Sequence, residues 1–168
     1  MDRKTQLMKI FSVHIRELLT ALPMKFDQLQ EIRLRAGRPL MLLYDNEERL
    51  IGDESGFVTE MSQAYRVSAQ EIQETMTFIS HYSIYAYEEE IRQGFLTIQG
   101  GHRIGLAGKV LSDQKGIRSI RPITFLNVRL AHQVQGCADS LMPWLYENGR
   151  PCHTLILSSP GCGKTTML

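Results

Sequence analysis

Gly161, Gly163, Lys164 and Thr165 have the types and spacing of a loop that binds phosphate, with Ser158 where the full pattern places its first glycine. In such loops successive backbone N–H groups surround the phosphates. The lysine reaches the terminal ones, and the hydroxyl residue after it holds magnesium. The expected phosphate contacts are therefore Pro160, Gly161, Cys162, Gly163, Lys164, Thr165 and Thr166, with Thr165 also the magnesium ligand. Serine at 158 incurs a steric penalty only if its φ is positive. A plain Gly-rich turn beside an ordinary lysine is the other reading. The order of apolar run (Leu155-Ile156-Leu157), turn and Gly-Lys-Thr favours the loop.

Arginines form the second candidate set. Arg33, Arg35, Arg103, Arg118, Arg121 and Arg129 all fall on strand-like stretches. Alternating strand arginines are either solvent-facing partners of nearby carboxylates or groups aimed at an anion. His102 reads as a contact at a hairpin tip, because no second ligand stands at metal-binding spacing from it. Cys137, Cys152 and Cys162 are odd in number and similarly lack such spacing, which points to a reduced, cytoplasmic chain. Cys162 reads as a small tolerated residue.

The elements that must position these groups follow from pattern. Leu7, Ile10, Phe11, Ile15, Leu18, Leu19 and Leu22 recur every three or four residues before Pro23, predicting one amphipathic helix over 7–22. Glu31-Ile32-Arg33-Leu34-Arg35 alternates as a strand does. Residues 40–44 and 49–51 predict a hairpin closed by 45–48, and 52–63 a loop. Ser68 to Glu71 is a capping box opening a helix to about residue 81, and a second helix spans 84–93 with Gly94 as its C-terminal cap. Glu88-Glu89-Glu90 is a solvated helix face or a docking surface. Gly100-Gly101 predicts a tight hairpin between strands at 95–98 and 103–111, and Gly105 and Gly108 leave room for a bulge. Strands at 117–121 and 124–130, a helix over 139–148 and a last strand before the phosphate loop complete the order.

Clustered hairpins with helices between them predict an α+β domain built on an antiparallel sheet. The 168 residues provide one such domain, 1–150, followed by the start of a second at 151–168. Charge is almost balanced, 19 basic against 18 acidic residues, which argues against a nucleic-acid partner. Hydrophobic content of 43% suits an ordinary folded domain, and no run reaches the ~20 apolar residues of a membrane span. No signal peptide is visible in 7–22, where charged residues interrupt the apolar ones.

Several stretches carry a further likeness. Ser83 to Ile98, with Tyr85-Ala86-Tyr87-Glu88-Glu89-Glu90, and Gly100-Gly101-His102-Arg103 through Val110 closely resemble the stage III sporulation AA family of endospore-forming bacteria. Glu31 to Arg35, Arg38-Pro39-Leu40, Asn127 to Ala131, Gly136 to Asp139 and the phosphate loop resemble it too. That family is similar to the hexameric ATPases of type II and type IV secretion and of pilus retraction. The resemblance implies a PAS-like N-terminal domain followed by a RecA-like ATPase core. It implies ATP and magnesium as ligands, a homo-hexameric ring, and a place on the mother-cell side beneath a membrane channel, with channel proteins as partners. It also implies that Arg103 and Arg129 approach nucleotide held by the core.

Hydrolysis needs a cradle, magnesium ligands, a group orienting water and a neutralising arginine. These 168 residues hold at most part of the first two, and only Thr165 to Leu168 start the helix behind the loop. Helix nucleation is unfavourable by roughly σ ≈ 10⁻³. The chain alone is therefore expected to bind nucleotide weakly and to turn none over. A non-catalytic assembly module that docks on a membrane complex or on other copies of itself is the alternative, and a nucleic-acid-binding relative of such ATPases is the less favoured third reading.

Overall fold

Alternation at Glu31 to Arg35 builds the middle of the molecule. The computed structural model describes residues 3–54, 56–80, 84–114, 116–132, 136–159 and 163–164. In it β1 (Leu29–Arg35) lies at the centre of a seven-stranded sheet of order β4-β3-β2-β1-β7-β6-β5, with every pairing antiparallel. The other strands are β2 (Met41–Tyr44), β3 (Glu47–Ile51), β4 (Phe57–Val58), β5 (Phe95–Thr97), β6 (Arg103–Asp113) and β7 (Gly116–Arg129). The expected α+β class with an antiparallel sheet is what forms.

One face of the sheet carries the core. Ile32 and Leu34 of β1, Leu42 of β2, Ile104 of β6 and Leu126 and Val128 of β7 are fully or almost fully buried against the helices. The helices are α1 (Arg3–Met8), α2 (Val13–Ala21), α3 (Ala69–Ile79) and α4 (Glu88–Gln93). The apolar stripe from Leu7 to Leu22 is buried as its spacing demands, but the single helix expected there is two. The break at 9–12 has its own bonds. Ser12 N–H donates to Thr75 Oγ1 at 3.1 Å, and the Arg16 side chain donates to the carbonyls of Met8, Lys9 and Phe11. A helix end needs such partners for its free carbonyls, and a residue 63 positions away fixes the kink.

α3 opens on the capping box as expected: Ser68 Oγ accepts from Glu71 N–H at 3.1 Å, and Glu71 Oε2 accepts from Ser68 N–H at 2.8 Å. The helix runs to Ile79, and residue 81 lies outside the described residues. The helix expected over 84–93 is a 3-10 turn at Ile84–Tyr87 and then α4, ended by Gly94 with φ of 81°. The loop expected over 52–63 contains β4, paired to β3. The two strands expected at 117–121 and 124–130 are one continuous strand. Pro122 is accommodated because Gly108 faces it across a bulge: a Cβ at Gly108 would lie 2.2 Å from the Pro122 carbonyl oxygen.

The chain forms two compact units, Met1–Ala131 and His132–Leu168. In the second unit, the helix expected over 139–148 is only α5 (Met142–Leu145), followed by β8 (Tyr146–Glu147) and β9 (Arg150–Pro151). Asn148 and Gly149 both have positive φ, 51° and 74°, and close a two-residue hairpin. Pro143 stands in the first turn of α5, and the Asn-Gly turn ends the helix early. The strand expected at 155–157 does not form, and Leu155 and Leu157 are 80% and 83% exposed. A strand buried on both faces of a parallel sheet needs neighbours on either side, and no described residue pairs with this one. No helix among the described residues is long and apolar enough to cross a membrane.

Candidate functional site

The face of the sheet opposite the core holds the arginines. Because side chains alternate, Glu31, Arg33 and Arg35 of β1 all leave by this face. Their cross-strand partners on β7 are Arg129, Asn127 and Phe125, and those on β6 are Arg103, Gly105 and Ala107. Glu31, Arg129 and Arg103 thus form one row across three neighbouring strands. Arg103 and Arg129, the two arginines singled out from sequence, are direct cross-strand neighbours.

Two like charges placed opposite each other repel, so something must hold them. Arg129 Nε donates to Glu31 Oε2 at 3.1 Å, while its side chain stays 71% exposed. Arg103 lies over the Phe95 ring, its guanidinium carbon 4.1 Å from the ring centroid. Arg33 bonds the other oxygen of Glu31 and also Glu48, the latter at 2.6 Å. Arg35 lies over the Phe125 ring at 4.9 Å. Arg33, Arg35 and Arg38 with Pro39, Met41 and Met61 also line a hollow of about 260 Å³.

The anchor is Glu31. Its carboxylate is 5% exposed, and burial alone would raise its pKa. Hydrogen bonds from Arg33, Arg129 and Asn127, with the nearby Arg33 charge, outweigh that and hold it below the usual glutamate range. The side-chain oxygen of Asn127 is buried and has no hydrogen-bond partner among the described residues. The surface therefore offers exposed guanidinium groups around a buried negative charge. Exposed guanidinium groups of this kind suit an anion.

Sequence reasoning placed Glu31 on the charged side of β1 and missed that it is the buried partner of the arginines. The signal was the Glu-Ile-Arg-Leu-Arg alternation. What hides Glu31 is the pair of strands flanking β1. His102 is likewise not the tip contact expected: it is 5% exposed, and its Nδ1 accepts from Ala131 N–H at 3.0 Å. That bond fixes the hairpin Gln99–Gly101 against the end of β7. Arg118 and Arg121 lie on the exposed part of β7, away from this row.

The segment whose spacing resembles a phosphate loop belongs to the second unit. Of its expected contacts, Pro160, Gly161, Cys162, Thr165 and Thr166 lie outside the described residues. Gly163 has a φ of 79°, a value that favours glycine, and Lys164 is helical. Lys164 Nζ donates to Ser158 O, Ser158 Oγ and Ser159 O, each at 3.0 Å. The ammonium is thus turned over the loop toward oxygen acceptors of the kind a phosphate presents. Ser158 is not among the described residues with positive φ, so serine carries no backbone penalty there.

Comparison with known proteins then decides the lineage. The whole chain, residues 1–168, matches the family described as sporulation stage III, protein AA. The chain belongs to that family. It is 36% identical over 141 residues to the stage III sporulation protein AA of Bacillus subtilis (strain 168). The match covers 84% of this chain and 42% of that relative, so the chain spans less than half of the relative's length. No solved structure matches the chain.

Proposed function

We propose that this chain is the N-terminal part of an ATP-driven sporulation motor resembling the ATPases of type II and type IV secretion. In this reading residues 1–150 form a PAS-like domain, and 151–168 begin a RecA-like core. Membership of the sporulation stage III protein AA family supports the sporulation role. The observation that carries the mechanism is the Arg103–Arg129 pair, two exposed guanidinium groups in direct register on an open sheet face.

The residues have separable tasks. Gly161 to Thr166 give backbone N–H groups to the phosphates, Lys164 neutralises the terminal ones, and Thr165 holds magnesium. Bound ATP supplies the phosphoanhydride whose cleavage drives the motor. Arg103 and Arg129 face the anion from the N-terminal domain, with Glu31 fixing Arg129 and Phe95 fixing Arg103. A homo-hexameric ring, peripheral to the membrane on the mother-cell side and beneath a channel, is the assembly that fits. A nucleic-acid partner is not favoured by the balanced charge.

ATP hydrolysis by the protein as its gene encodes it tests this reading. Lys164→Ala should abolish turnover, and Arg103→Ala or Arg129→Ala should lower kcat by about tenfold or more, since an arginine acting on the transferred phosphate is worth up to about 10³–10⁵. Both arginine variants at wild-type kcat would remove the arginines from the mechanism. A polypeptide of these 168 residues alone should show no turnover above its Lys164→Ala control.

A further inference from the structure

β1 ends in a turn that gathers arginines. Arg38 N–H donates to Arg35 O at 3.0 Å, and Gly37 between them has a φ of 70°. A second run of chain clamps this turn. Gly37 N–H donates to Val67 O at 2.7 Å, and Val67 N–H donates to Arg38 O at 3.0 Å. Arg66, on that run, donates from its guanidinium to Gly37 O at 3.1 Å. The side chains of Arg33, Arg35, Arg38 and Arg66 are thus carried at one end of β1.

The hollow of about 260 Å³ between Arg33, Arg35, Arg38, Pro39, Met41 and Met61 lies in this corner. Among the described residues, no carboxylate lines it. Arg33 is already neutralised by Glu31 and Glu48. Arg35 and Arg38 are exposed and are not neutralised. Arg35 has only the Phe125 ring, and the Arg38 side chain has no acceptor among the described residues. Two cations fixed on one clamped turn repel, and a bound anion relieves that.

Size and chemistry select among anions. Small-molecule sites enclose about 300–1,000 Å³, so this hollow takes a side chain rather than a whole nucleotide. No aromatic ring lines it on which a base could stack. Arginine and methionine without lysine is the composition found at the centre of protein–protein contacts. Met61, 61% exposed, is a flexible apolar rim that adapts to a partner. Arg35 and Arg38 present planar forks that match carboxylates.

We infer that the Arg35–Arg38 turn docks an acidic segment of a partner protein. One apolar side chain of that segment enters the hollow over Met41 and Met61, and carboxylates on either side of it meet Arg35 and Arg38. The turn lies four residues along β1 from the row of Glu31 and Arg129, about 13 Å at the rise of a strand. The contact needs neither nucleotide nor the phosphate loop, so it stands or falls apart from the proposed function.

Fluorescence anisotropy of a labelled peptide, Glu-Glu-Leu-Glu-Glu, with the 168-residue chain reads it, against Ser-Ser-Leu-Ser-Ser and Glu-Glu-Ser-Glu-Glu. The first should bind about tenfold or more tighter than either control. Arg35→Gln with Arg38→Gln should abolish the preference for glutamate, and Met61→Ser the preference for leucine. Arg38→Gln alone, at a side chain without a partner, serves if the double variant fails to melt as a folded protein. Lys109→Gln with Arg118→Gln takes the same charge from another part of the sheet and should leave binding unchanged. Equal affinity for the three peptides overturns the proposal, and so does an equal loss in the variant at 109 and 118. Displacement of the peptide by equimolar magnesium–ATP, or binding of a DNA duplex that is lost with Arg35 and Arg38, would assign the turn to nucleotide or nucleic acid and overturn it. Self-association in sedimentation that disappears in the same variant would make the partner a second copy, and overturn it as well.

Discussion

Glu31 is the residue on which the open face depends. Its carboxylate, almost without solvent, accepts from guanidinium groups on both sides. Removing one member of a buried ionic group leaves the others uncompensated. Glu31→Gln keeps the shape and removes the charge, and should cost about 1–3 kcal/mol in urea unfolding. The pH dependence has a definite sign. The folded protein holds the Glu31 pKa below its unfolded value, so the stabilisation is complete above about 4.3 and is lost as pH falls through the lowered value. Wild type should therefore lose stability over that acid window faster than the glutamine variant, the gap between them closing as pH drops. Equal slopes would show that Glu31 is not the anchor. The alternation in the sequence showed which side of β1 Glu31 takes. It did not show burial, because that is imposed by strands ending near Arg129, 98 positions away.

Gly108 decides whether β6 and β7 can lie together. A Cβ there would approach the Pro122 carbonyl oxygen to 2.2 Å and the Ile123 Cα to 2.9 Å, both backbone atoms without a flexible side chain to yield. Gly108→Ala should cost about 1–3 kcal/mol, read as a lower midpoint in urea at unchanged slope. Gly105→Ala is the control, since a Cβ there meets only Asn127 at 3.8 Å. At this scale much was legible. The capping box, the Gly94 cap, the Gly-Gly hairpin and the bulge at Gly108 are short-range devices whose chemistry is written within a few residues. The break between α1 and α2 was not, because Thr75 of a distant helix makes it. The helix expected over 139–148 forms only as α5, with Pro143 in its first turn; it stops at Leu145 because the turn at Asn148-Gly149 requires two positive φ values and Asn-Gly supplies them.

Among the described residues, the buried hydrophobic core runs from Leu7 to Val128, all within the first unit. A chain ending at Ala131 should therefore melt at the temperature of the 168-residue chain, within the error of calorimetry. Chymotrypsin, which accepts leucine, should cut first after Leu155 or Leu157, where the backbone is exposed and joins no ladder. A large drop in melting temperature on truncation would show the core to be shared. The strand order was beyond the sequence, since hairpins reveal which neighbours in the chain pair but not how two sets of hairpins meet.

They meet at β1 and β7, and that seam has a consequence for how the chain is made. β1 leaves the ribosome about 5–20 s before its second partner, at ordinary rates of synthesis. Through that interval the meander of β1 to β4 carries an open edge along its longest strand. An edge studded with Glu31, Arg33 and Arg35 is a poor template for another chain, because charges on a strand that must pair discourage the wrong partner. The charged residues that later anchor the open face of the sheet thus first protect the nascent sheet from its neighbours on the same message.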